Sequence, residues 1–154
     1  MTSGLVIVLV AVVAAVSFGG YRALTDGGFR ARRAARRTTS PAAGPAAGAA
    51  GAAGVALREA VPDAVLGERA TLLQFSSAFC TPCRATRRTL GEVAAAVPGV
   101  VHLEVDAEHH LELVRRLDVL RTPTTLVLDA AGHEVTRAAG APRKEQVLSA
   151  LAQT

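Results

Sequence analysis

The chain has no tryptophan, and aromatic residues make up only 3 % of its 154 residues, so any core must be built mostly from Leu, Val and Ala. Cysteine is nearly as scarce. Two cysteines cannot supply the disulfide framework of a small secreted domain. Nor can they complete a four-thiolate zinc site within one chain. Charge is missing from Leu5 to Phe18, and no basic residue precedes that run. A cleaved signal peptide carries its basic residues before the apolar stretch, so the run reads instead as a retained anchor.

What is present divides the chain into four parts. Residues 1–21 are apolar or small on every helical face, about the length needed to cross a bilayer, and read as a transmembrane anchor rather than a buried core helix. Residues 22–37 carry Arg22, Arg30, Arg32, Arg33, Arg36 and Arg37, which supply much of the net charge of +4. Arginines on that side alone put the remainder of the chain on the cytoplasmic side of a cell membrane, crossed once. The cluster is expected to rest on anionic lipid rather than on nucleic acid. Residues 38–54 alternate Ala with Gly and Pro and read as a linker with a reach of roughly 20–25 Å.

Residues 55–154 have the patterning of a folded domain. A helix near Leu57 to Val61 is followed by the apolar strand Thr71 to Phe75. Leu90, Val93, Ala94 and Val97 then fall at helical spacing until Pro98-Gly99 ends the helix. Val100 to Asp106 alternates as a strand, and Leu111, Val114 and Leu117 line one side of the helix after it. Thr124 to Asp129 and His133 to Gly140 are strands joined by a turn at Ala130 to Gly132. A last helix from about Pro142 buries Val147, Leu148 and Leu151. Strands alternating with helices in this order predict an α/β fold with one mixed sheet covered by helices.

Both cysteines lie in one Cys80-Thr81-Pro82-Cys83, directly before a helix carrying Arg84, Arg87 and Arg88. Half a metal site, a structural disulfide, inert core thiols and a redox dithiol all compete for such a pair. The position favours the last. Unpaired N–H groups at a helix N-terminus stabilise a thiolate. Such a site lowers the first thiol's pKa from about 8.5 to between roughly 3.5 and 7.5. Pro82 suits the first turn, where its missing N–H costs nothing. The spacing also lets the second sulfur resolve a mixed disulfide formed on the first.

With those flanks the chain resembles the thioredoxin family, over roughly residues 57–152. Phe79-Cys80-Thr81-Pro82-Cys83-Arg84 matches an aromatic-Cys-x-Pro-Cys-basic motif, with Phe79 where Trp is usual. Thr122-Pro123-Thr124 is similar to the family's Thr-cis-Pro, and Gly140 to a glycine of the surface around the site. The resemblance implies a three-layer thioredoxin-like fold, with Cys80 and Cys83 as the catalytic pair. It implies that Phe79, Thr81, Pro82, Thr122, Pro123 and Gly140 meet the substrate peptide. Two positions depart from the pattern. Gln74 stands where a buried Asp helps move the second thiol's proton, and His102 where a Lys is common. Gln74 cannot titrate; His102 can relay a proton, although a lone strand histidine is usually structural. His109 and His110 are adjacent, point different ways on a helix, and suit a solvated helix start better than a metal site.

The expectation is a membrane-anchored, cytoplasm-facing thiol–disulfide oxidoreductase with no cofactor beyond its own Cys80–Cys83 disulfide. Its partners would be a disulfide-bearing protein and an upstream reductant such as a thioredoxin reductase. The alternatives are an exported thioredoxin-like protein handling envelope or cytochrome-maturation thiols, and a non-catalytic binding module using the groove beside Pro123.

Overall fold

In the computed structural model, residues 2–25, 29–31 and 52–154 are described, with side chains described for 6–21 and 53–154. Most of the arginine cluster and of the Ala/Gly/Pro linker lies outside the described residues. Helix α1 (Thr2–Thr25) has every described side chain exposed, from Val6 to Tyr21. Among the described residues no helix is long and apolar enough to cross a membrane. The structure therefore does not carry the spanning expectation.

The remaining elements are β1 (Phe29–Ala31), α2 (Ala52–Ala60), β2 (Ala70–Ser76), α3 (Thr81–Ala96), β3 (Val100–Asp106), α4 (Leu111–Arg116), β4 (Thr124–Asp129), β5 (Glu134–Ala139) and α5 (Lys144–Leu151). They form one five-stranded sheet in the order β1-β5-β4-β2-β3. β2 and β3 are parallel, as a strand–helix–strand crossover through α3 requires, and the other pairs are antiparallel. β2 lies inside the sheet with every residue buried, which is why Thr71 to Phe75 reads as a run rather than an alternation.

Two apolar clusters sandwich the sheet. On one face Leu90 and Val93 of α3 and Val147 and Leu151 of α5 pack on Leu72 and Val127. On the other, Leu57 of α2, Leu113 of α4 and Leu117 pack on Leu73, Phe75 and Leu126. The expected α/β three-layer architecture is present. Three details correct the sequence reading.

The helix expected near Leu57 to Val61 starts earlier, within the Ala/Gly/Pro segment. α2 starts at Ala52, and the Gly54 N–H donates to the Gly132 carbonyl at 2.9 Å. A Cβ on Gly54 would come within 2.8 Å of the Gly132 Cα, so this glycine is a packing requirement of the fold rather than a linker residue. Second, the basic segment contributes an edge strand, β1, whose Phe29 to Ala31 pair with Ala138 to Thr136. Third, Leu111 and Leu148, expected to be buried, are exposed. Leu113 and Ala150 take the buried positions on those helices.

Candidate active site

The site forms where β2 ends and α3 begins. Cys80 is the N-cap of α3, with φ −89° and ψ 96°, and its sulfur accepts a hydrogen bond from the Cys83 N–H at 3.1 Å. Thr81 and Pro82 occupy the exposed first turn. Cys80 and Cys83 form a disulfide, their Cα atoms 5.2 Å apart. The two sulfurs differ in access: Cys83 is 3 % exposed, whereas Cys80 is partly exposed beside Phe79, which is 97 % exposed. That asymmetry separates a thiol able to meet a large partner from one able to react only with its neighbour.

The loop before β4 closes one side. Its Thr122–Pro123 peptide bond is cis. The Thr122 hydroxyl lies 3.1 Å from that of Ser77, tying this loop to the one that delivers Cys80. The Gly140 N–H donates to the Pro123 carbonyl at 2.8 Å. Gly140 has φ +102°, a conformation that glycine adopts without strain. The fold thus brings Phe79, Thr81, Pro82, Thr122, Pro123 and Gly140 to the same end of the sheet as the cysteines.

Beneath the dithiol, Gln74 is fully buried and its amide is used at both ends. Its Nε2 donates to the Cys83 carbonyl at 3.0 Å, and its Oε1 lies 3.1 Å from His102 Nε2. The Cys83 carbonyl can only accept, which fixes the amide's orientation. Gln74 Oε1 must therefore be met by a donor, so His102 carries its proton on Nε2. Burial lowers the pKa of His102; the charge of Glu104 opposes that shift and the charge of Arg87 adds to it. His102 is thus a neutral donor to Gln74. His109 pairs instead with Asp106, at 2.9 Å. Among the described residues no cluster of three or more His, Cys, Asp or Glu is placed to hold a metal ion.

The sequence reading missed a polar cleft beside the disulfide. Its volume is about 390 Å³, and Cys80, Cys83, Arg84, Arg87, Glu104 and Asp106 are among its walls. Arg87 of α3 forms an ion pair with Glu104 of β3, and the Ser76 hydroxyl donates to Glu104 Oε1 at 2.6 Å. Partial burial works against the Glu104 charge, but the hydrogen bonds from Arg87 and Ser76 and the nearby positive charge outweigh it, so the carboxyl lies below its ordinary pKa. On the other side of Ser77, Leu111, Val114, Val119 and Leu120 line a mostly apolar groove that Thr122 also borders. The dithiol therefore lies between a charged and an apolar surface.

Residues 56–153 match the thioredoxin family model. The chain belongs to the thioredoxin family. Among curated relatives, thioredoxin H5 of Oryza sativa subsp. japonica is 35 % identical over 60 residues, covering 39 % of this chain and 44 % of that protein. A thioredoxin H-type of Oryza sativa subsp. indica is 29 % identical over 83 residues, 54 % of this chain and 66 % of the relative. The matched region thus spans less than half of the first relative. Among solved structures, Fasciola hepatica thioredoxin superposes with a TM-score of 0.51 at 24 % identity, covering 57 % of this chain and 84 % of that one. At that identity the likeness speaks for a thioredoxin fold.

Proposed function

We propose that this protein is a thiol–disulfide oxidoreductase that reduces protein disulfides through the Cys80–Cys83 dithiol. The observation that carries this reading is the unequal access of two bonded sulfurs at a helix start. In the reduced protein the Cys80 thiolate is favoured by the N–H groups of α3. It attacks one sulfur of the substrate disulfide, and the other leaves as a thiolate. Cys83 then loses its proton and attacks Cys80, breaking the mixed disulfide. The substrate is released with both sulfurs reduced, and the Cys80–Cys83 disulfide is left behind. Phe79, the Thr122–Pro123 backbone and the apolar groove are the surfaces on which the substrate peptide rests.

The reading needs no cofactor beyond the dithiol, but it does need an upstream reductant, such as a thioredoxin reductase, to return the pair to thiols. It is tested by reduction of a model disulfide protein. Cys80→Ser abolishes turnover, and an active Cys80→Ser enzyme would contradict the reading.

Placement at the inner face of a membrane is a separable part of the proposal. Its support is the uncharged run Leu5 to Phe18, with arginines only on its C-terminal side. A second support is the exposure of every described side chain of α1, most of them apolar, from Val6 to Tyr21. In intact, reduced cells a membrane-impermeant thiol reagent leaves Cys80 unlabelled, and it labels Cys80 after lysis. Equal labelling before lysis would place the domain outside and favour an envelope role.

A further inference from the structure

The Cys83 thiol has to lose a proton before it can resolve a mixed disulfide, and the groups beneath it do not accept one. The Gln74 amide cannot titrate, and both its ends are occupied, by the Cys83 carbonyl and by His102. His102 already holds its proton on the nitrogen that faces Gln74. The cleft side is different. There Cys83 shares a wall with two carboxylates, Glu104 and Asp106. Both carboxylates are hydrogen-bonded, but only Glu104 is tied to the helix that carries Cys83; Asp106 accepts from the Glu108 N–H at 2.8 Å and meets His109 Nδ1 at 2.9 Å. Glu104 is held in place by Ser76 from β2 and by Arg87, one helical turn beyond Cys83 on α3. It is also the register partner of Gln74 on the neighbouring parallel strand. A carboxylate absent from the position under Cys83 is thus present one strand over, in the wall of the cleft that Cys83 also lines.

We infer that Glu104 is the proton acceptor for Cys83 in the resolution step, receiving the thiol proton across the cleft. The inference rests on the oxidoreductase reading. The Cys83 S–H bond breaks and its proton passes to the Glu104 carboxylate. The Cys83 thiolate forms the bond to Cys80, and the bond from Cys80 to the substrate sulfur breaks. The departing substrate thiolate takes up a proton, which Glu104 can return, so the carboxylate ends as it began. The Cys pair is oxidised and the substrate reduced by the same two electrons. The charged or titratable groups around Glu104 are Arg84 and Arg87 from α3, with His102 and Asp106 on its own strand. Ser76 faces it from β2. Arg87, with Ser76, holds the Glu104 carboxyl below its ordinary pKa and so helps set where the base is lost on acidification.

The test is stopped-flow resolution of a preformed mixed disulfide on Cys80 across an acid-to-neutral pH series. Glu104→Gln slows resolution by about ten-fold or more, toward the ~10²-fold low end of general-base contributions, while the rate of mixed-disulfide formation by Cys80 is unchanged. Glu104→Asp recovers part of the loss. Arg87→Gln moves the acidic limb of the resolution profile to higher pH, because Glu104 then protonates earlier; a purely structural ion pair would not produce that shift. A Glu104→Gln enzyme that resolves at the parent rate overturns the inference. So does an Arg87→Gln profile whose acidic limb coincides with the parent's, and that arm decides the matter if Glu104→Gln does not fold. A parent protein that forms no mixed disulfide at all removes the oxidoreductase reading, and this inference with it.

Discussion

Gln74 makes one buried side chain answer for two neighbours, a backbone carbonyl of the site and a half-buried histidine. Replacing it with Asp places a carboxylate under Cys83 but removes the donor to the Cys83 carbonyl. Gln74→Asp is predicted to speed resolution near neutral pH, by up to about 10²-fold, and to lower stability. A buried carboxyl ionises at higher pH than one in the unfolded chain. The unfolded state then releases its proton first, so the stability of the variant falls further as pH rises through that window. Denaturant midpoints at two pH values and stopped-flow rates check both halves. His102 has the opposite linkage. Its folded pKa is lowered, chiefly by burial, so below about pH 6.5 the unfolded chain binds a proton that the native state resists. Stability therefore declines on acidification from neutrality, and His102→Gln flattens that slope. Equal slopes in the two proteins would mean that His102 gains or loses nothing on folding.

At the level of elements, the contact between α2 and the turn joining β4 to β5 is made through two glycines. Gly54→Ala would drive a methyl into the Gly132 backbone, whose φ is +84°. A cost of about 1–3 kcal/mol is expected, of the kind seen on overpacking, and a denaturant midpoint against the parent measures it. This contact also marks where the sequence stops being legible. β2 to β5, α3 and the dithiol turn can be read because apolar periodicity and Pro or Gly punctuation are local signals. Gly54 looks like one more linker glycine because its reason lies in residue 132. β1 is three residues among arginines and exists by pairing with β5, so no local pattern announces it. Leu111 and Leu148 are as apolar as their buried neighbours, and only the crossing of each helix over the sheet decides which side is covered. Glu104, Arg87 and Ser76 come from three elements and meet only in the fold, although the alternation of Val100 to Asp106 does put Glu104 on the same face as His102.

For the whole molecule, the domain holds the dithiol between a charged cleft and an apolar groove, and the described side chains of α1 are exposed. Family membership and fold describe the domain; the proposed division of labour between the sulfurs is what makes it an oxidoreductase. That division follows from Cys80 at the helix cap within reach of a partner and Cys83 buried behind it. The most direct measurement is therefore intact-protein and peptide mass spectrometry of reduced Cys83→Ser after incubation with a disulfide-bonded protein. A long-lived one-to-one mixed disulfide mapped to Cys80, released by added dithiol, is the predicted result. Turnover at the parent rate with no trapped species would contradict the account, because a chain that reduces disulfides without Cys83 does not work through the pair.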